Sequence, residues 1–527
     1  MKHKRASWTG LAAVGAVMAA VAITASGVGA AGRTIAKATA VAVPTRGGTL
    51  KVAMAKDITG VDPAALPQVA FLFSDAVYNS LTVYDKTGKP QPELAQSWQF
   101  ASNRKSLVLN LRKNVKFQNG KLFTSADVAY SMERLRTPAV QAEGGRASTL
   151  AAFVQNIKAI RTPDRYTVKL TFTVAMPNFF DFLDELYIVD KATIAGPNGK
   201  TVTNGTGPFS LKQWTPGQGY DLVRNPHYFK AGLPYLDEID VKIVPSPATE
   251  NLQFQSGQID FAPTLNARDI QRLRTTTPSQ VVIGCPSSVY YVGVNVKKAP
   301  LTNVLVRQAL NHAIDRSRFV SQILAGQGTP LVQIWSPRSP AYNKSLNSLM
   351  TFDLAKAKSL LQKAGVSNLT VEMIVNANQP PLSQLAQIMQ ADLKTIGVTL
   401  TINVLEPAQF LAIEAKGGYS GLSTGPYGKE CLSPASILTS NKLDPLDNSE
   451  NFRSATYTKL VDTYLSAEDP ATKKKLQNQI TTFVINQSFI MPIATQESAV
   501  AVGTKVNGYT GNRANGNYPL ERVWLGK

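Results

Sequence analysis

A chain of 527 residues exceeds one ordinary domain, and its 44% hydrophobic and 17% charged composition excludes a mostly disordered polymer. Formal charge is +20 on the whole chain and +17 without the three N-terminal cations Lys2, Lys4 and Arg5. The longest basic run is only Lys473-Lys474-Lys475 and no cationic stripe is interleaved with aromatics. That pattern argues against nucleic-acid binding and for a solvated basic surface, with cell-wall polymer or an anionic membrane surface as the partner it could attract.

Lys2, Lys4 and Arg5 precede a run of 22 uncharged residues from Leu11 to Gly32, and Val28-Gly29-Ala30 has the small-x-small pattern of a signal peptidase site. Residues 1–30 are therefore expected to be a secretory signal peptide, followed by a flexible leader over 31–44. A run of this length would also just span a bilayer, so a retained N-terminal anchor is the alternative. No Cys lies near the end of the segment, so lipid attachment through an N-terminal Cys is not expected. The expected location is extracellular or in the cell envelope, in the periplasm or on the outer face of the cytoplasmic membrane. Cys285 and Cys431 are the two cysteines. An even pair in an exported chain fits one disulfide or two buried free thiols, and the disulfide is the expectation.

Along the chain, Thr49–Met54 alternates like a strand entering a core, and Phe71–Leu81 suits a helix. Leu107–Arg112 alternates again. Thr124, three residues before Asp127, opens a helix running through about Arg134 with a capping-box-like acid. Tyr166–Phe172 has the period-two pattern of a strand. Helices are expected over Thr302–Ala325, over Asp353–Ala364 with Gly365 at its end, and over Leu382–Ile396 with Gly397 at its end. The strand Val398–Val404 follows. Asp469-Pro470 opens a last helix with Leu476, Ile480, Phe483 and Val484 on one face. Strands and helices alternate throughout, which indicates an α/β fold.

Reactive constellations are scarce. Among the histidines, His3 leaves with the signal peptide, and His227 and His312 are isolated from other ligand-type residues, so no metal and no cofactor is expected. Gly421-Leu422-Ser423-Thr424-Gly425 matches the G-x-S-x-G nucleophile elbow, but that fold places its histidine after the serine and none follows Ser423. A secreted hydrolase is therefore disfavoured, and a binding protein is the expectation.

Several stretches together resemble bacterial extracellular solute-binding proteins of family 5. They are Gly47-Gly48-Thr49-Leu50, Asp62-Pro63, Pro92-Glu93-Leu94-Ala95-Gln96-Ser97-Trp98, Leu111–Phe117, Asn119-Gly120 and Thr124–Val128. Gly205–Phe209, Arg224–Tyr228, Ser256–Asp260, Asn295, Pro300, Val306–Leu310 and Ala313-Ile314-Asp315 continue the series in order. Most of these residues read as structural: Gly120 and Gly207 suit tight turns, Trp98, Phe117 and Phe209 the core, and Thr124 a cap. The resemblance implies a two-lobed, periplasmic-binding-protein-like α/β fold (type II, cluster C-like) with an extra α/β domain inserted in the first lobe. Mapped here, the first lobe takes 45–82, 204–285 and 498–527, the extra domain 83–203 and the second lobe 286–497. It implies the substrate-binding subunit of an ABC importer for a peptide or similar small solute, with permease subunits as partners and a monomeric state. Nickel or a metal chelate is the alternative ligand.

The resemblance also nominates ligand contacts. Many peptide binders carry an acid four residues before a Pro and an aromatic three before the acid, for the ligand's α-ammonium. Pro434 puts Glu430 and Tyr427 at those positions, where the family more often has Asp and Trp. Of Tyr290 and Tyr291, which must face opposite ways on a strand, Tyr291 is expected to face the cleft. The loop after Asp62-Pro63 nominates Pro67, Gln68 and Val69. Asn376 stands in a region, Asn376–Gln379, where some dipeptide binders keep an Arg for the ligand carboxylate; the lack of an Arg there departs from strict dipeptide specificity.

Overall fold

The computed structural model describes residues 43–67, 70–85, 88–197, 199, 201–286, 288–428, 431–513 and 516–526. The expected signal peptide and most of the expected leader lie outside these residues. Among the described residues the architecture is built on three main sheets.

The first lobe is organised by a seven-stranded mixed sheet in which Thr49–Met54 pairs in parallel with Glu238–Ile243, from Thr49↔Glu238 to Met54↔Ile243. Leu50, Val52 and Met54 point to one core and Ala53 to another, as a period of two requires when both faces are covered. Beside it stands an antiparallel sheet with strands in the order Ala95–Phe100, Ser106–Leu111, Thr167–Phe172, Ile157–Asp164. Leu107, Leu109, Leu111, Val168, Leu170 and Phe172 face inward onto the helices Ser125–Arg134, Gly145–Gln155 and Phe179–Glu185, while Lys169 and Thr171 stay exposed.

The second lobe has a five-stranded sheet in the order Val398–Leu405, Leu369–Asn376, Leu422–Tyr427, Ser288–Val294, Ile490–Gln496. Its strand Ser288–Val294 is buried at every position because one face carries Tyr290, Val292 and Val294 into one core and the other carries Val289 and Tyr291 into a second. The chain passes between the lobes twice, from strand Val281–Ile283 to Ser288–Val294 and from Ile490–Gln496 to Ala499–Val502. Two short crossings of this kind form a hinge about which lobes can close.

The family-like residues are mostly structural. Asp62 forms an ion pair with Arg134 (Oδ1–Nη1 2.9 Å) and accepts from the Ala64 N–H at 3.0 Å. The Asp127 carboxylate accepts from the Thr124 N–H at 2.8 Å and so holds the start of its helix. Gly120 adopts φ +85° in the turn closed by Phe117 N–H to Lys121 O at 2.8 Å. Gly207 is needed for close approach: a Cβ there would lie 2.5 Å from Ala76 O. Trp98, expected in the core, is only partly buried on an edge strand.

Two expected helices differ. Phe71–Val77 ends four residues before Leu81, where the backbone turns extended at Tyr78 and the Val77 carbonyl accepts from the incoming Gly207 N–H at 3.0 Å. The segment Thr302–Ala325 is broken into Val304–His312, Arg316–Arg318 and Phe319–Ile323. Asp315 caps a new start at Arg318 N–H (2.9 Å), and the buried Arg316 turns inward to donate to the carbonyls of Leu331 (2.7 Å) and Pro492 (2.8 Å). An apolar spacing of helical period records neither event.

Candidate functional site

A cleft of about 430 Å³ lies where the lobes meet. Its first-lobe wall is the hairpin of strands Thr82–Tyr84 and Pro90–Pro92 together with the C-terminal segment from Gly508 to Arg522. Gly284 and Cys285 of one hinge crossing form its floor, and the second lobe contributes Arg338 and Cys431. Clefts of about 300–1,000 Å³ are the usual size for small-solute sites. Cys285 and Cys431 are joined as a disulfide with their Cα atoms 6.4 Å apart, so the hinge crossing is tied to the loop that follows strand Leu422–Tyr427.

The charges in this cleft differ in how they are held. Glu521 is buried and neutralised: Lys230 Nζ lies 2.9 Å from it, Arg513 Nη2 3.7 Å, and Tyr228 donates its hydroxyl. These partners hold its carboxyl below the usual range in spite of burial. Arg338 and Arg522 are exposed, on the second and first lobe respectively, and among the described residues neither meets an acidic partner. Behind the cleft a water-sized recess of about 30 Å³ is lined by Asp75, Arg513 and Asn517. Burial pushes the Asp75 carboxyl up to about 6, opposed by the Tyr187 hydroxyl and the Arg513 guanidinium. Asn517 is 3% exposed and its Oδ1 accepts no hydrogen bond among the described residues, which suits an ordered water.

The nominated residues lie elsewhere in the fold or outside the described residues. Glu430, Gln68 and Val69 are in the second group. Tyr291 and Tyr427 are brought together, with ring centroids 5.7 Å apart, but inside the second lobe. The Tyr291 hydroxyl donates to Glu414 Oε1 at 3.0 Å and the Tyr427 hydroxyl to the Ile334 carbonyl at 3.0 Å. Strand alternation separates the two faces at Tyr290 and Tyr291 but not an open face from a covered one, and here both are covered: Tyr290 packs edge-on against Phe319 at 5.8 Å. Asn376 ends its strand by accepting the Asn378 N–H at 2.9 Å, a local turn. None of these three lines the cleft, whereas both cysteines do. Arg338, Arg513 and Arg522 carry no motif that would have marked them; only the fold brings them to one space.

Ser423 lies within the central strand Leu422–Tyr427, fully buried and paired with Gly293, instead of at an exposed strand-to-helix turn. A nucleophile elbow requires that exposed turn. No helix of the described residues is long and apolar enough to cross a membrane.

The family model for bacterial extracellular solute-binding proteins, family 5, matches residues 89–441. The chain is similar to heme-binding protein A of Haemophilus influenzae, 27% identical over 470 residues, covering 83% of this chain and 84% of that protein. It is similar to the periplasmic oligopeptide-binding protein OppA of Salmonella typhimurium, 24% identical over 478 residues, covering 85% and 86%. Among solved structures it resembles the periplasmic binding protein DppA from Helicobacter pylori in complex with the peptide STSA, with TM-score 0.76, 24% identity and 92% and 99% of the two chains covered. The chain belongs to family 5 of the bacterial extracellular solute-binding proteins, and it is the substrate-binding subunit of an ABC importer, not an enzyme.

Proposed function

We propose that the solute is held in the 430 Å³ cleft and that it carries an anionic group, such as a peptide carboxylate, which meets Arg338 and Arg522. The observation that carries this reading is the pair of arginines on opposite lobes facing one space, neither with an acidic partner among the described residues. Bringing two like charges together on closure is unfavourable, and an anion between them reverses the sign. The protein works as a monomer, handing its ligand to the permease from outside the cytoplasm. Its formal charge, +17 without the three N-terminal cations, favours residence near anionic envelope surfaces.

Calorimetry with short peptides as free acids and as C-terminal amides tests the assignment. The free acids are expected to bind more tightly, and Arg338→Ala is expected to weaken them about tenfold while leaving the amides unchanged. Equal affinity of the wild type for acids and amides, or an unimpaired Arg338→Ala protein, would contradict it. Binding of an anionic nickel chelate where every peptide fails would favour the metal-chelate alternative.

A further inference from the structure

We propose that Asp181 is a positioning residue that clasps the two lobes and sets how much of the ligand-free protein is closed. This rests on the reading that the cleft between the lobes is the solute site, and it goes beyond it by naming the contact that holds the cleft shut.

Asp181 lies in the first turn of helix Phe179–Glu185, whose Phe179, Phe182 and Leu183 are sunk in the core of the antiparallel sheet. Across from it, helix Pro434–Leu438 belongs to the second lobe, with Ala435, Ile437 and Leu438 packed in the core that holds Tyr291 and Tyr427. The two helices therefore belong to different cores. Hydrogen bonds from both lobes meet at this junction. The Ser433 N–H donates to Asp181 Oδ1 at 3.2 Å, and the Ser436 hydroxyl donates to Asp181 Oδ2. Asn178 Nδ2 donates to Ser436 Oγ at 2.9 Å, and the Tyr84 hydroxyl donates to Asp181 Oδ1 at 2.5 Å.

Tyr84 is part of the first-lobe wall of the cleft, and Ser433 is two residues from Cys431 of the second-lobe wall. One carboxylate thus fixes both walls. Asp181 is 2% exposed and Ser436 1%, so the junction is dry when made. Hydrogen bonds to a charged acceptor are stronger than neutral ones, and a buried carboxylate robbed of donors is costly. When the lobes part, Ser433 and Ser436 leave with the second lobe, and water must take their place. The clasp therefore favours closure without taking part in the cores that fold each lobe.

The test uses no ligand, so it stands or falls separately from the identity of the solute. Spin labels at Lys169→Cys and Lys459→Cys, both exposed and one on each lobe, report the lobe–lobe distance by pulsed dipolar spectroscopy. The native cysteines are joined to each other and take no label. A short-distance population is expected in the ligand-free protein. Ser436→Ala and Asp181→Asn are each expected to lower the closed-to-open ratio about tenfold, and the double variant little further, because both remove one shared contact. If Asp181→Asn does not fold, Ser436→Ala alone decides. Unchanged distances in the folded variants, a shift only in the unfolding midpoint, or a wild type that shows only the long distance would overturn the clasp.

Discussion

Replacing Lys442 by methionine is expected to destabilise the protein by about 3–5 kcal/mol at neutral pH, the usual cost of removing one partner from a buried ion pair. Lys442 is 7% exposed and pairs with Glu414, which is 4% exposed, while the Glu450 side chain alongside is fully buried. The ammonium also donates to Ser449 Oγ at 3.2 Å, and Ser449 in turn donates to Glu450 Oε1 at 3.0 Å. Methionine preserves the volume of the stem and deletes the charge, leaving acids in the interior of the second lobe without it. The Tyr291 hydroxyl, which donates to Glu414, cannot supply a compensating charge. Urea unfolding of wild type and variant reads the difference. A double variant, Lys442→Met with Glu414→Gln, is expected to recover most of the loss, because removing both charges also removes their desolvation cost. A single-variant loss below about 1 kcal/mol, the range of exposed pairs, would contradict this reading.

Glu450 is expected to give the protein a pH dependence opposite in sign to that of an ordinary surface carboxylate. Burial raises its carboxyl from 4.5 to about 8, with Glu414 adding to the rise and Lys442 opposing it. The folded state therefore binds this proton more tightly than the unfolded state. Its contribution to stability is fully present below about pH 4.5 and is lost progressively as pH climbs through about 8. Each tenfold difference in proton affinity between the two states is worth about 1.4 kcal/mol, so the loss is on the order of 5 kcal/mol by about pH 9. Glu450→Gln removes the titration while keeping shape. Relative to wild type, the variant is expected to gain stability steadily between about pH 5 and about pH 9, measured as the difference in unfolding free energy at each pH. A difference that stays flat across this range would show that the carboxyl ionises at its ordinary value.

Much of the fold was legible because local rules and tertiary structure agree there. Thr49–Met54, the Thr124–Asp127 helix start and the helix opened by Asp469-Pro470 each appear where periodicity and capping put them. The broken helix after His312 was not legible, because it is dictated by Arg316 reaching carbonyls at Leu331 and Pro492, the second of them far away in sequence. The site was least legible. A period of two separates Tyr290 from Tyr291 but carries no information on a second layer covering both faces. Arg338 and Arg522 become a pair only through the approach of two lobes, and the Asp181 junction joins residues separated by 252 positions, as at Ser433. Single polar residues in loops have no sequence period, so nothing in the sequence marks them before the fold places them together.

The central claim is that a solute is trapped between two lobes that close on it. Small-angle X-ray scattering of the protein, first stripped of ligand and then saturated with the peptide that binds most tightly in calorimetry, tests it most directly. A smaller radius of gyration at saturation is expected, together with the rise in folding stability that any ligand selective for the native state confers, about 2.7 kcal/mol at a hundredfold excess over Kd. A radius unchanged at saturation would contradict the trap.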